Sequence, residues 1–470
     1  MKTNQVVAMA SAAAMFLFML GIRAADITAT GSGNWSSTNA DAPWPNGVVP
    51  GTNDDADIES PYSVTVDTNI TVQYIYGSGA VTVAPNMTLN ILGDAAGAYG
   101  TAQLKTLNAT ASGCTVIYSG NPFWANQCDY YNLEFCNTNY VDPYPPYYPV
   151  QFFNNFSSSL GPTSMTIAGN MTVIGYVGVQ LGLGTTFTIN GNLTLGSNCF
   201  WDCSSGNLVV VSNTILGGIM KDLDGANGSN SFGGNFTVSA PTGDWELGDV
   251  VTWGIGGSLT NEGEINGTGY ASISFDGTGE IGGNPVTIPT LTINGTYDIA
   301  TTITLTTNTP TLNGTLVFDL ANPGEFIFPA YVGTSFYYAG NLTVIDSGAA
   351  PAPGGYYQFF NAPSFGGAFN AISYPNLPAG LSWNDNTFSD GSISVSGEII
   401  GAPTLALTGS GGILTLSWDS TTYPGYHVVT TTNLAGPAAA WVDTGSGTVS
   451  PYATPINPTN GAVFFRLSNP

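Results

Sequence analysis

The stretch Phe187-Thr188-Ile189-Asn190-Gly191-Asn192-Leu193-Thr194-Leu195 reads as two short β-strands meeting at a glycine. Phe187, Ile189, Leu193 and Leu195 share one parity, and Thr188, Asn190, Asn192 and Thr194 share the other. Successive side chains of a strand point to opposite faces, so the first set faces a core and the second faces solvent. Gly191 falls on the inward parity, where a residue without a side chain suits a corner. The Gly-Asn-apolar-Thr phrase and close variants of it begin at Gly169, Gly191, Ser212, Gly234 and Gly257, at intervals of 22, 21, 22 and 23 residues. A period in the low twenties, built from strand-forming residues, marks stacked coils, because one such unit cannot bury its apolar side alone.

Working outward, the same grammar continues at Ile293-Asn294-Gly295-Thr296, Leu312-Asn313-Gly314-Thr315 and Gly340-Asn341-Leu342-Thr343. The sequence therefore predicts an all-β chain: a parallel β-helix (β-solenoid) of about 22 residues per coil over residues 25–400. Residues 117–156 interrupt it with thirteen aromatics, and Asp142-Pro143-Tyr144-Pro145-Pro146-Tyr147-Tyr148-Pro149 cannot continue a sheet ladder. This reads as a protruding aromatic, proline-rich loop insertion. A linker at Gly401-Ala402-Pro403 precedes short strands over residues 401–470, with the size and texture of a small C-terminal β-sandwich.

Residues 1–24 read as an export signal: Lys2, an apolar run from Val6 to Ile22, and Ile22-Arg23-Ala24 before Ala25. Only 7% of the 470 residues are charged, and the formal charge is −25. Beyond the leader, Lys105, Lys221 and Arg466 are the only basic side chains. Nucleic-acid binding needs clustered cations against phosphate, so it is excluded as an expectation. Insertion of the mature chain into a membrane is not expected either, because the apolar residues beyond the leader alternate with polar ones. Five cysteines fit an exported protein. Cys114 and Cys136 lie one repeat apart, so adjacent coils would stack them about 4.8 Å apart for a disulfide. Cys199 and Cys203 could close a small loop, which leaves Cys128 over.

Several passages resemble exported bacterial parallel β-helix surface proteins with autotransporter-associated-type β-strand repeats. Gly33-Asn34-Trp35-Ser36 with Trp44-Pro45-Asn46-Gly47 is similar to their opening segment. Phe275-Asp276-Gly277-Thr278-Gly279 with Leu291-Thr292-Ile293-Asn294 is similar to their coil phrases, and Leu377 to Trp383 with Asp390 to Val395 to their closing segment. Thr431-Thr432-Asn433-Leu434, Trp441-Val442 and Phe464-Phe465-Arg466-Leu467 resemble a C-terminal fibronectin-type-III-like module. The resemblance implies an adhesive or structural role at the cell surface, and no catalytic motif comes with it.

Paired carboxylates for glycoside hydrolysis could come from Asp54, Asp55 and Asp57, from Asp222 and Asp224, or from Glu262 and Glu264. His427 lies in a strand of the terminal module, and neither a nucleophile elbow nor a zinc motif accompanies it. Calcium is the best cofactor candidate, held by Asp222, Asp224 and Asn227 on one turn or by Asn53 to Asp57 on another. Tyr144, Tyr147, Tyr148 and Trp124 are the candidate ligand-binding rings, able to stack on sugars or contact another protein. The expectation is a secreted, non-catalytic structural or adhesive cell-surface protein. Its partners are copies of itself, joined through strand edges such as Ala25–Thr30 or Ala462–Leu467, or other surface proteins or glycans. The alternative is a glycan-binding protein or a carbohydrate-active β-helix enzyme.

Overall fold

A computed structural model describes residues 25–40, 42–93, 104–119, 124–126, 128–137, 149–153, 164–180, 185–202, 206–221, 228–248, 251–267, 269–328, 335–397, 403–421, 423, 425–432, 441–456 and 461–468. Nearly all regular structure among them is β-strand, with one short helical turn at Pro45–Gly47. The chain divides into two compact units. The first is Met1–Ser347 with Tyr357–Tyr374 and Asn386–Ser392; the second is Gly348–Tyr356, Pro375–Asp385 and Ile393–Pro470.

In the first unit the chain visits three parallel sheets in rotation. Thr186–Ile189 belongs to an eight-stranded sheet, Leu193–Leu195 to a fourteen-stranded one and Phe200–Asp202 to a seven-stranded one. Asn207–Val210, Thr214–Leu216 and Ile219–Lys221 then repeat the circuit. Leu193 pairs in parallel with Thr214, Thr214 with Phe236, and Phe236 with Leu259. The period in the low twenties is thus one passage through three short strands. Phe187, Ile189, Leu193, Leu195 and Trp201 are all buried, as parity requires. Larger rings fill the later turns: Trp245 stacks on Phe236 at 4.5 Å and meets Trp253 edge-on at 5.1 Å.

The period is not uniform. Asn132 lies level with Thr115, 17 residues back, and its side chain meets Asn170, 38 residues on. The longer interval contains the proline-rich passage. Cys114 directly precedes Thr115 and so comes level with the residue before Asn132, whereas Cys136 pairs with Ser119. The predicted Cys114–Cys136 disulfide is therefore absent, because the local turn is five residues shorter than the period that suggested it. Cys199 is also free, donating its thiol to the Val173 carbonyl at 3.1 Å; Cys203 lies outside the described residues. Cys128 is free as well.

The asparagines of the repeated phrase join one turn to the next. Asn170 N–H donates to Asn132 Oδ1 at 2.9 Å, Asn192 to Asn170 at 2.8 Å, Asn213 to Asn192 at 3.1 Å, and Asn235 to Asn213 at 2.9 Å. Ser258 N–H closes the series on Asn235 at 2.9 Å. The side chains at these corners give backbone donors an acceptor in the preceding turn, where a buried or half-buried N–H needs one. Outward solvation, the reading drawn from parity, understates their work.

The glycines that precede Asn170, Asn192 and Asn235 answer a close approach. A Cβ on Gly191 would lie 2.3 Å from the Gly169 carbonyl oxygen, and one on Gly295 would lie 1.7 Å from that of Gly277. Gly191 has no left-handed φ, so room is what matters there. One turn breaks the pattern. Thr214 occupies the core slot, fully buried with its hydroxyl unpartnered, while Ile215 takes the outward slot at 44% exposure. An unbonded buried hydroxyl costs about 1–3 kcal/mol.

The second unit contains two three-stranded antiparallel sheets in its C-terminal part. One holds Ala406–Ser410, Ile413–Ser417 and Tyr452–Pro455; the other holds His427–Thr431, Val442–Asp443 and Phe464–Ser468. Leu416, Trp418 and Val428 form a buried cluster, with Leu414, Tyr452, Phe465 and Leu467 packed around it. Both sheets contribute to that cluster.

Candidate functional site

Tyr144, Tyr147 and Tyr148 lie outside the described residues, as do Asp222, Asp224 and Asn227. Trp124 opens the strand Trp124–Asn126, paired in parallel with Gln151 to Phe153, and its side chain is not among those described. Among the described residues no group of three or more His, Cys, Asp or Glu side chains is placed to hold a metal ion. His427 pairs with Ser468 in an antiparallel sheet, so it is a strand residue of the second unit.

Asp55 and Asp57 flank buried Ala56 on the strand Asp55–Asp57 and so share its outer face. Asp26 and Thr28 lie beside them on one side, and Tyr74 and Tyr76 on the other. Thr28 donates to Asp57 at 3.2 Å, and the Tyr76 phenol donates to Asp26 at 2.6 Å. Desolvation, then the charges of Asp26 and Asp54, push the Asp55 carboxyl up. Asp57 rises through desolvation and the charges of Glu59 and Asp26, against the pull of the Thr28 hydrogen bond. The group is a network of mutually repelling acids partly quieted by hydroxyls.

Glu262 and Glu264 do line a recess. Together with Asn198, Pro241, Thr242 and Asp244 they border an open groove of about 440 Å³. A longer turn makes it. After the strand Phe236–Val238 the chain runs through a cis Ala240–Pro241 peptide, and Gly243 N–H closes back on Ser239 at 2.8 Å. Thr242 ties this turn to the preceding one through the Gly217 carbonyl at 2.6 Å. The strand Asp244–Leu247 then pairs with Glu264–Gly267 so that Asp244 stands directly beside Glu264. Neighbouring strands lie about 4.8 Å apart, which brings the two carboxylates within reach of one small group.

Desolvation raises the Asp244 carboxyl, and the charges of Glu246 and Glu264 raise it further; Lys221 opposes them. One Asp244 oxygen is buried without a hydrogen-bond partner. Lys221 itself bridges to Glu246 at 3.7 Å. A carboxyl raised by desolvation with a second carboxyl group beside it is the minimum equipment for acid–base attack on a glycosidic bond. Sequence reading reached Glu262 and Glu264 but missed Asp244. Its partnership with Glu264 depends on strand register, and the unequal turns before the two strands hide that register from any fixed period.

No family model, curated protein or solved structure matches the chain.

Proposed function

We propose that this protein is a secreted, non-catalytic structural or adhesive element of the cell surface. In this reading its first unit is a parallel β-solenoid of about 22 residues per coil, and the C-terminal sheets form a fibronectin-type-III-like β-sandwich. The observation that carries the proposal is the turn-to-turn series of asparagine hydrogen bonds from Asn132 to Ser258, set beside close glycine contacts. The repeated residues serve stacking, which favours a scaffold whose function lies in its surfaces and ends. Among the described residues, the strand Asp26–Thr28 ends its sheet, and Ala371–Ser373 ends the fourteen-stranded sheet. Such edges offer unpaired backbone groups to a second copy. Electron microscopy of the purified chain, over a range of concentrations with and without calcium, is expected to reveal filaments or layers. Dispersed monomers under every condition would refute assembly.

A second reading, a carbohydrate-active enzyme, draws on the groove at Asp244 and Glu264. It predicts release of reducing ends from a neutral polysaccharide, lost in both Asp244→Asn and Glu264→Gln while thermal unfolding stays unchanged. Activity that survives both substitutions removes the groove from consideration.

A further inference from the structure

The eight-stranded sheet differs from its neighbours in what it turns outward. Along its strands, from Ser164–Ile167 to Thr311–Leu312, no Asp, Glu, Lys or Arg occurs, although the chain carries 30 acidic residues. The seven-stranded sheet, by contrast, sets Asp244, Glu246 and Glu264 on its outer side, and the fourteen-stranded sheet sets Glu134, Asp298 and Asp319 there. The aromatic residues of the eight strands, Phe187, Phe232, Trp253 and Phe275, are all buried beneath the face. What remains outside is mostly hydroxyl, broken by Asn207, Val209 and Gly254.

Those hydroxyls are in register. Thr166 pairs with Thr188, Thr188 with Val209, Val209 with Ser231, and the column runs on through Gly254 and Ser274 to Thr292 and Thr311. A second column two residues away contains Ser164, Thr186 and Asn207, then Ser229, Thr252, Ser272 and Thr290. Parallel pairing spaces each column at about 4.8 Å, and two strand residues separate the columns by about 6.6 Å. Some of these groups are used: Ser274 donates to Asp276, and Thr290 accepts from Asn308. The hydroxyls of Thr166, Thr186, Thr188, Ser231, Thr252 and Thr292 engage no hydrogen-bond partner among the described residues. Ser231 and Thr252 are exposed.

We propose that this face binds ordered water and, through it, the surface of ice. Charge matching selects the occupant: apart from the Asp276 carboxylate, which Ser274 binds and which lies over Gly254, the face is uncharged on a chain of charge −25 and offers little to an ionic partner. Sugar recognition leans on aromatic stacking, and no ring points outward here. An in-register array of uncommitted hydroxyls, with threonine methyls between them, suits a neutral lattice that repeats at nearly the spacing of a β-ladder. The oxygen repeat along the basal axis of hexagonal ice lies within a fraction of an ångström of that spacing. Close packing beneath the face holds the hydroxyls in place, so little ordering remains to be done on contact. The inference goes beyond the scaffold reading, since it requires the face and not the assembly.

The test partitions the purified full-length chain between slowly growing ice and liquid. Wild type is expected to enter the ice, and Ser231→Lys and Thr252→Lys are each expected to be excluded like a non-binding protein. Thr237→Lys, on the outer side of the fourteen-stranded sheet, is expected to enter as wild type does. Matching thermal unfolding of all four chains separates loss of binding from loss of fold. Exclusion of the wild type, or entry of both face variants at its level, overturns the proposal. Retention on an insoluble neutral polysaccharide without entry into ice reassigns the face to glycans and overturns it equally.

Discussion

Gly295→Ala is expected to lower stability by about 3 kcal/mol or more, enough to remove most soluble protein, although it adds a single methyl group. The added carbon would lie 1.7 Å from the Gly277 carbonyl oxygen and 2.6 Å from its carbon. No rotamer change relieves this, because the obstacle is backbone. The two turns would have to separate. Thr296 N–H bonds the same Gly277 oxygen at 2.9 Å, and Thr315 N–H bonds Gly295 O at 2.8 Å, so separation also strains the hydrogen bonds on both sides. Gly461→Ala is the matched control, with nothing within 4 Å of its Cβ position. Soluble yield and thermal unfolding midpoint are the measurements. Equal midpoints for Gly295→Ala and wild type would mean that turns separate freely, against the packing described.

Acid is expected to stabilise the protein down to about pH 4 and to destabilise it below, which reverses the usual loss on leaving neutrality. Asp55, Asp57, Asp244 and Asp298 are all raised from 3.8, and Glu134 from 4.5, with desolvation the foremost cause in each. A group raised on folding binds its proton more readily in the native state. Its contribution is therefore most favourable below the unfolded value and declines as pH rises through the folded one. Asp319 is lowered by hydrogen bonds from Ser347. Asp67 is lowered too: desolvation opposes the change, but hydrogen bonds from the Ser36 hydroxyl and N–H outweigh it. Those two contribute above 3.8 and lose their effect as pH falls through their depressed values. Self-repulsion of a chain with formal charge −25 at pH 7 adds to the gain on mild acidification. Thermal unfolding across about pH 3–8 should place the maximum near 4, with a midpoint a few degrees higher at pH 4.5 than at pH 8. A midpoint that climbs steadily from pH 4 to pH 8 would contradict these assignments.

Parity made the strands legible. Phe187, Ile189, Leu193 and Leu195 are buried where alternation put them, because a core-facing strand cannot hide its period. The role of asparagine was not legible: its acceptor acts on the following turn, and a single phrase contains no second turn. Thr214 and Ile215 show the same limit from another side. Their order reverses the apolar-Thr order of the repeated phrase, and the register set by Leu193 and Phe236 keeps the slot in place, so the hydroxyl goes inward. The cysteine spacing failed because it borrowed a period from residues 169–260 for a region whose turns run 17 and 38 residues. Asp244 stayed hidden for a related reason, since its neighbour is fixed by a turn of irregular length. The eight-stranded face was spelled out as Thr-x-Thr and Ser-x-Ser all along, yet only pairing reveals that these fragments form one surface.

The asparagine series has a consequence for how such a chain can change over generations. Each turn offers the next an acceptor and takes a donor in return, so both sides of a turn carry the same connector. A turn removed whole from Gly191 to Val211 would bring Asn213 against Asn170 with matching chemistry. Length is therefore adjustable in whole turns by duplication or loss of short segments, while a change of one or two residues within a turn disturbs everything above it. Selection can tune how far the protein reaches without redesigning how it holds together.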